Sequence, residues 1–416
     1  MIMKQLTNEQ FENFASKFTD KSFYQTPEYA FIMNKQNFDS IFLGLFDNDK
    51  IIAASIFLIE KRSNFKYAYA PKGFLIDYTD YELVKTFTNE VKKTLGKMDI
   101  IAVKLNPMVI RNKYDQDGEI IYTNPNYEQI FNMLKSNSYY HLGYNNEFEA
   151  LKPRFEAIID LNSSLPTLFK NIRKEFRTKI RSAEKNGIRI YKGNEKQLNY
   201  LYLHTKSKYP RDLKYFEDCY FFYNKKNMID FYYAKLDTNA FLQTIQTNYQ
   251  LMNEESYKFN QEVIMKTKNN TPKNINKKIS LETTLNNYQT KLVEAINLSK
   301  NNPNGIILAS VLVIKYDDTV TILMDGYDPK YKKFNAKHLI IWKIIEKYKA
   351  LGYKKINLGG ITNINIKTQK YKGLNEFKLS FNPIINEYMG DIELITNNAL
   401  YFMYRNTAPI RNILKK

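Results

Sequence analysis

The sequence predicts a mixed α/β (α+β) protein made of two similar units, with a helical arm inserted in the second. The order of helix, hairpin, helix and strand occurs twice along the chain. A length of 416 residues accommodates about two to three domains of roughly 150 residues each. We therefore place the first unit at 1–150, the second at 151–238 and 304–416, and the arm at 239–303.

The first unit alternates strands and helices. Apolar runs at 41–46 and 51–59 flank turn residues and predict a hairpin. Further strands are expected at 65–70 and 100–105, and short helices at 9–18 and 129–135. A longer helix is predicted over 80–95 by apolar residues at helical spacing, namely Leu83, Val84, Phe87 and Val91.

The second unit repeats this order. It opens with a strand at 155–161 and a long basic helix at 165–186, which Gly187 closes as a C-terminal glycine. The remaining elements expected are a strand at 188–191, a helix at 194–208, a strand at 230–236, a hairpin of 305–314 and 319–324, a helix at 336–351 and a strand at 355–358.

The arm is predicted from two heptad stripes in a segment without glycine, 239–302. The stripes consist of Ile245, Tyr249, Met252, Ser256, Phe259 and Val263, and of Leu281, Leu285, Tyr288, Leu292 and Ala295. They indicate an antiparallel coiled-coil hairpin about 45 Å long at 1.5 Å per residue. We expect the stripes to bury against each other rather than in the domain cores. The alternative is a pair of ordinary surface helices.

The chain is strongly basic. Lys and Arg number 62 against 43 Asp and Glu, which gives a net charge of +19. Such a balance favours a polyanionic partner: nucleic acid, an anionic membrane surface or a phosphate-bearing substrate. The densest charge lies between Lys170 and Lys192, where nine cations face Glu175 and Glu184 for a net +7. This row fits either phosphate binding or an ordinary solvated helix face.

The usual catalytic motifs are missing from the sequence. It has no phosphate-binding loop, no nucleophile elbow and no paired-histidine zinc motif, and its three histidines are widely spaced, so we expect no metal. The single cysteine, Cys219, cannot form an internal disulfide and is expected in the core. The polar start and the lack of a 20-residue apolar run suggest a cytoplasmic protein. The function should therefore depend on positioning and cationic stabilisation.

Lys378 is a candidate for that task. It lies between Phe377 and Phe381, close to the end of the second unit. Such a lysine is either a core residue that extends its ammonium to the surface or a partly desolvated cation aimed at an oxyanion or phosphate.

The order of motifs resembles the Fem (FemABX) family of tRNA-dependent aminoacyltransferases, which build peptidoglycan interpeptide bridges. The likeness covers nearly the whole chain, including an arm similar to the family's coiled-coil hairpin. The motifs that carry it are Phe23-Tyr24-Gln25-Thr26, Tyr69-Ala70-Pro71-Lys72-Gly73, Val103-Lys104-Leu105-Asn106-Pro107, the basic helix from Leu168 to Gly187, Phe377-Lys378 with Phe381, and Glu387-Tyr388-Met389-Gly390-Asp391.

The resemblance implies two acetyltransferase-like (GNAT) domains used without acetyl-CoA or another cofactor. In keeping with this, the sequence has no R-x-x-G-x-[GA] pyrophosphate loop. The implied donor is aminoacyl-tRNA, and the implied acceptor is the stem-peptide amine of lipid II or of UDP-MurNAc-pentapeptide. Because lipid II is membrane-bound, the resemblance also implies peripheral contact with the inner face of the membrane.

Family roles extend to named positions. By resemblance, Lys378 stabilises the tRNA end or the tetrahedral intermediate, with Phe377 beside it. The positions expected to bind substrate are Lys35, Lys72, Arg211, Tyr215, Arg173, Lys174 and Arg177. Lys35 would face the phosphates of the precursor, and Arg211 with Tyr215 would contact the precursor itself. Surface or core roles remain open for Lys35 and Tyr215.

Three departures from the family pattern leave alternatives open. Asn106 stands where relatives often have aspartate, and an amide cannot act as a base. Ser380 replaces a glycine, and 322–324 replaces a strand in which relatives carry tyrosines. A non-catalytic homologue that binds tRNA or precursor is one alternative, and an acyl-CoA-dependent GNAT enzyme is another. The missing pyrophosphate loop and the long arm argue against the second.

Overall fold

The fold is known from a computed structural model that describes residues 1–62, 64–150, 152–207, 211–265, 271–366 and 370–405. Within these ranges the chain forms two mixed sheets with helices packed on them, and a pair of long helices. The strands are β1 Ile2–Gln5, β2 Asp39–Asp47, β3 Lys50–Arg62, β4 Phe65–Ala70, β5 Ile100–Leu105, β6 Ile110–Tyr114, β7 Ile120–Thr123, β8 Tyr139–His141, β9 Phe155–Asp160, β10 Ile188–Gly193, β11 Ile229–Leu236, β12 Ile306–Tyr316, β13 Thr319–Tyr327, β14 Lys355–Ile361, β15 Ile384–Tyr388 and β16 Ile392–Ile395.

The helices follow the predicted order with several additions. They are α1 Asn8–Ala15, α2 Pro27–Lys35, α3 Tyr81–Gly96, α4 Tyr127–Ser136, α5 Leu165–Asn171, α6 Lys174–Lys185, α7 Leu198–Thr205, α8 Leu213–Asn224, α9 Thr238–Ile264, α10 Pro272–Asn301, α11 Ala336–Ala350 and α12 Lys372–Leu379. The helix expected over 194–208 begins as a 3₁₀ turn and ends at Thr205, while Lys208 lies outside the described residues.

The same local topology occurs in both sheets. In the first, β2, β3 and β4 pair antiparallel, and α3 then leads to β5, which runs parallel to β4. In the second, β12 and β13 pair antiparallel, and α11 leads to β14, which runs parallel to β13. Both predicted hairpins are therefore confirmed. The apolar faces of α3 and α11 are buried against their sheets because their spacing repeats every three to four residues.

The two sheets exchange strands. The first has the order β1-β2-β3-β4-β5-β16-β8, so a C-terminal strand completes the N-terminal sheet. The second has the order β10-β11-β12-β13-β14-β9-β15-β6-β7, so β6 and β7 of the first unit extend it. Backbone hydrogen bonds thus link the two units in both directions. The domain limits at 150 and 303 remain a prediction.

The prediction of a single long helix over 165–186 is wrong. The chain forms α5 and α6 instead, because Ile172 and Arg173 are extended, each with ψ of 137°. Ile172 is buried in the core, and the Arg173 N–H donates to the Ser380 carbonyl at 3.0 Å. These tertiary contacts compensate for the interrupted helical hydrogen bonds, and helical periodicity cannot reveal them.

The long helices α9 and α10 pack antiparallel. Ser299 Oγ donates to Asn239 Oδ1 at 2.6 Å near one end of the pair, and Lys277 lies 3.5 Å from Glu255 towards the other. The described stripe residues are buried or half-buried, as predicted. The prediction that the stripes are buried only within the arm is wrong where the arm joins the second unit, however. Phe241, Ile245 and Ala295 join the core of the second unit, and Phe241 lies edge-on to Phe334.

Candidate active site

One large cavity, of about 1420 Å³, lies where the two units meet. Tyr24 and Lys72 of the first unit line it together with Glu156, Phe377 and Lys378 of the second. Lys72, Glu156 and Lys378 are only 4%, 7% and 7% exposed. Charged groups buried in a concave site are candidates for binding or catalysis, because burial raises the strength of every electrostatic interaction.

Lys378 lies near the C-terminal end of α12. Its Nζ donates to the Gly360 carbonyl at 2.6 Å, across a register shift in β14 between Asn357 and Gly360. Gly359 makes this bend possible, since its φ of +80° is unfavourable for residues with a Cβ. Bulges of this kind often accompany functional sites, where they redirect side chains.

Burial strengthens the electrostatic interactions of the Lys378 ammonium and also lowers its pKa. Desolvation, partly opposed by the nearby Asp325 carboxylate, lowers the pKa of Lys378 to about 8 from its ordinary 10.5. The Lys337 ammonium adds to the lowering. At neutral pH the group is still mainly protonated. It therefore combines positive charge with a weakly hydrated environment, as a stabiliser of developing negative charge requires.

Phe377 lines the cavity and packs against a neighbouring aromatic ring and a lysine. Its ring lies 5.2 Å from the His338 ring and 4.2 Å from the Lys337 ammonium, which pairs with Asp325 at 2.9 Å. Burial lowers the pKa of His338 to about 4, so this imidazole is neutral at physiological pH. His338 thus packs among rings while also lining the cavity.

Lys72 connects the two units inside the cavity. Its Nζ lies 2.8 Å from Glu156 Oε1 and 4.0 Å from the centre of the Tyr388 ring. Its backbone has a positive φ of 52°, and its N–H donates to Asn106 Oδ1 at 3.0 Å. Asn106 also accepts from the Tyr69 hydroxyl at 3.2 Å. The amide at this position therefore orients Lys72.

The other expected acceptor contacts lie outside this cavity. Lys35 is exposed at the end of α2. Arg211 is exposed just before α8, and its guanidinium lies 4.5 Å from the centre of the Tyr215 ring. Tyr215 itself is buried in the core between α2 and α8. The structure brings Arg211 and Tyr215 together and leaves Lys35 apart from the cavity.

The cations at the start of α6 do not line the cavity either. Lys174 is exposed, and Arg173 and Arg177 are half-buried. The Arg177 guanidinium donates to the Lys170 carbonyl at 2.8 Å and so covers the end of α5. The next turn of α6 does reach the cavity, through Phe176 and Lys179. One cation of the basic row, Lys179, therefore lines the cavity, whereas Arg173, Lys174 and Arg177 do not.

The two remaining departures from the family pattern have defined places. Ser380 is fully buried, and its hydroxyl donates to the Phe377 carbonyl at 2.6 Å, so it closes the end of α12. The segment 322–324 lies on β13 and lines the cavity with apolar side chains. Hydroxyl groups are thus absent from this stretch of the wall.

Sequence reasoning missed Glu156 and Lys337. Glu156 could have been recognised from the sequence, because successive side chains of β9 point to opposite faces of the sheet. Phe155, Ala157 and Ile159 face the core, while the positions between them line the cavity. A charged residue at such a position in a predicted buried strand is a candidate site residue. Lys337 had no comparable signal in a helix with several lysines.

Three further features concern the cysteine, metal-ligand clusters and long apolar helices. Cys219 is 1% exposed, and burial raises the pKa of its thiol to about 12, which confirms it as a core residue. The described ranges contain no group of three or more His, Cys, Asp or Glu residues arranged to hold a metal ion. In the part of the chain that the structure describes, no helix has the length and apolar character needed to cross a membrane.

The chain is similar to a known family and to proteins of known name and structure. A model of the FemAB family matches residues 6–408. Aminoacyltransferase FemA of Staphylococcus epidermidis (strain ATCC 35984) is 25% identical, with 99% of this chain and 100% of the relative aligned. Aminoacyltransferase FemB of S. epidermidis (strain ATCC 12228) is 26% identical over the whole of both chains. The crystal structure of FemX superposes with a TM-score of 0.74 at 19% identity, covering 97% of this chain and 99% of that chain.

These findings decide several predictions. The likeness to FemX and the observed topology confirm the expected mixed α/β fold. The names of the relatives confirm the predicted enzyme class, an aminoacyltransferase. Because the family model matches nearly the whole chain, the chain belongs to the FemAB family.

Proposed function

We propose that this chain transfers an amino acid from aminoacyl-tRNA to the stem-peptide amine of a peptidoglycan precursor, either lipid-linked or nucleotide-linked. The product would be an interpeptide bridge of the cell wall. Membership of the FemAB family and two aminoacyltransferase relatives support the type of reaction. The observation that carries the site is that Lys72, Phe377 and Lys378, drawn from both units, line a single cavity.

The chemistry suits a site without an activated nucleophile of its own. The acceptor amine attacks the ester carbonyl of the donor, and the terminal ribose oxygen leaves. Such an ester is already activated, so alignment and stabilisation of the oxyanion supply most of the rate. Lys378 is the proposed stabiliser, because its buried ammonium is directed into the cavity by the Gly360 carbonyl. Phe377 would pack against the donor end beside it.

Outside the cavity, the remaining cations would hold the larger parts of both substrates. Arg211 offers a guanidinium suited to two-point binding of a precursor phosphate, with Tyr215 supporting it and Lys35 as a separate contact. Arg173, Lys174 and Arg177 would attract the phosphate backbone of tRNA. A lipid-linked acceptor would bring the protein to the inner face of the membrane as a peripheral, cytoplasmic enzyme.

A transfer assay tests this proposal directly. The protein is incubated with a mixture of charged tRNAs and, in parallel reactions, with lipid-linked or nucleotide-linked precursor, and the products are identified by mass spectrometry. We expect one precursor to gain the mass of one aminoacyl residue. The control is uncharged tRNA. Absence of product with every charged tRNA and both precursors, from folded protein, would contradict the proposed function.

A further inference from the structure

The proposed reaction needs a group that accepts a proton from the attacking nitrogen. Asn106 cannot do this, because an amide has no basic site at physiological pH, and its oxygen already accepts from Lys72 and Tyr69. Among the described residues, seven Asp and Glu side chains line the cavity, and Glu156 is the buried one of these. Glu156 is therefore the carboxylate least exposed to bulk water in the place where the reaction would occur.

The sheet places Glu156 beside the proposed oxyanion stabiliser. Glu156 of β9 is the register partner of Gly360 in β14. Antiparallel partners have Cα atoms about 4.5–5.5 Å apart. The Gly360 carbonyl is also the group that accepts the hydrogen bond from Lys378. The Glu156 carboxylate on β9 and the Lys378 ammonium, which α12 holds against the adjacent strand β14, thus face the same stretch of cavity, as proton transfer and oxyanion stabilisation at neighbouring atoms require.

The carboxylate of Glu156 is held in place with room left to react. Lys72 Nζ lies 2.8 Å from Oε1, and Asn357 Nδ2 donates to Oε2 at 2.9 Å. The Tyr388 hydroxyl is also hydrogen-bonded to Glu156. An ionised carboxylate has about four acceptor positions, so these three contacts leave one for a further donor. The titratable groups facing Glu156 from the surrounding elements are Lys72, Lys152, Lys378, Tyr24 and Tyr388.

We propose that Glu156 is the general base of the transfer reaction, with Lys72 as its positioning partner; this inference rests on the proposed function. As the C–N bond forms between the neutral amine and the ester carbonyl, the nitrogen loses a proton to the Glu156 carboxylate. When the bond between the carbonyl carbon and the ribose oxygen breaks, the same proton passes to that oxygen. The products are an amide and a free ribose hydroxyl, and Glu156 ends the cycle as the carboxylate it was.

The competing interpretation is that Lys72 and Glu156 form an ion pair that only joins the two units. Glu156→Gln and Lys72→Met separate the two interpretations, since each breaks the ion pair but only the first removes the base. A base role predicts a fall in kcat of about 10²–10³ for Glu156→Gln with little change in KM. It also predicts loss of the acidic limb of the pH–rate profile. Lys72→Met should keep that limb, because the Glu156 carboxylate is still present.

A second variant guards against a folding defect. Glu156→Asp keeps the charge but withdraws the carboxylate by one methylene. A base role predicts a clear loss of kcat at an unchanged melting temperature, whereas a purely structural pair predicts a near-normal rate. Equal losses of rate and melting temperature in Glu156→Gln and Lys72→Met, with the acidic limb retained in both, would overturn the inference.

Measurements on the wild-type protein keep the two claims separate. Wild-type protein that transfers no amino acid contradicts the proposed function and, with it, the role of Glu156. Wild-type protein that transfers normally, alongside a Glu156→Gln variant that keeps more than half of the wild-type kcat, contradicts the role of Glu156 alone.

Discussion

The cations of the cavity and the cations at the start of α6 belong to the same residue types but to different environments. Lys72 and Lys378 are buried, and each has defined partners: Glu156 and Tyr388 for the first, Gly360 for the second. Lys174 is exposed and has no partner among the ion pairs of the described residues. A count of charge along the chain finds the second group first, although the first group is better placed for chemistry.

The physical contrast is one of screening. A unit charge in water is attenuated within about 8–10 Å at physiological salt, so exposed cations act mainly by attracting a polyanion and respond to ionic strength. A buried cation interacts more strongly with charge that develops beside it and is little affected by salt. The buried group should therefore control turnover, and the exposed group should control affinity.

The largest effect is expected from Lys378→Ala. Loss of a positioned donor to developing negative charge typically costs about 10²–10³ in rate. Lys378→Arg should recover little activity, because a planar guanidinium does not replace a compact ammonium at the Gly360 bend. Initial transfer rates give the effect. If Lys378 only packs between aromatic rings, the alanine variant will instead lose melting temperature and keep near-normal turnover.

The next effect concerns pH. Because the pKa of Lys378 is lowered to about 8, turnover should fall about tenfold per pH unit above 8 as the ammonium loses its proton. The group's contribution to stability has the opposite sign. The unfolded chain binds more protons between pH 8 and 10.5, so this contribution rises with pH in that window. Initial rates from pH 7 to 10 test the limb, with Lys378→Ala as control, and a flat wild-type profile would contradict it.

A smaller effect is expected from shortening the arm. Residues 248–289 can be replaced by a short turn that retains Phe241, Ile245 and Ala295, which belong to the core of the second unit. Affinity for charged tRNA should fall about tenfold, or about 1.4 kcal/mol, with the domains still folded. Filter binding and circular dichroism measure the two. Unchanged tRNA affinity in a folded variant would remove the arm from the donor site.

The smallest effect is expected from Lys174→Glu. Loss of one phosphate contact should weaken tRNA binding severalfold and reduce the slope of log affinity against log salt by about 1. Turnover at saturating donor should not change. The matched control is Lys185→Glu at the other end of the same helix, also exposed. If both variants bind tRNA and precursor as the wild type does, the row is a solvated face.

Much of the fold could be predicted because it depends on local patterns. The hairpin of β2 and β3, the face of α3 and the stripes of α9 and α10 all follow from apolar spacing. The break at Ile172 could not be predicted, because it depends on the Ser380 carbonyl more than 200 residues away. The exchange of β16 and of β6 between sheets is likewise a long-range choice that no local pattern encodes.

The candidate site likewise contains residues that could be predicted from the sequence and residues that could not. Lys378 and Phe377 could be singled out from a short motif, and Lys72 from a turn. The pairing of Lys72 with Glu156 could not, since the two residues come together only when the units pack. Lys35 and Arg211 were predicted from resemblance alone, and both are exposed and do not line the cavity. Their roles remain proposals.

The most direct test compares Lys378→Ala with Lys174→Glu in single-turnover transfer at saturating charged tRNA, with tRNA affinity measured on the same preparations. The account predicts that Lys378→Ala binds tRNA normally and transfers at about 10⁻²–10⁻³ of the wild-type rate. It predicts that Lys174→Glu binds more weakly and transfers at the wild-type rate. Recovery of the Lys378→Ala rate at saturating donor would contradict the account, because it would make the buried ammonium a binding contact like the exposed ones.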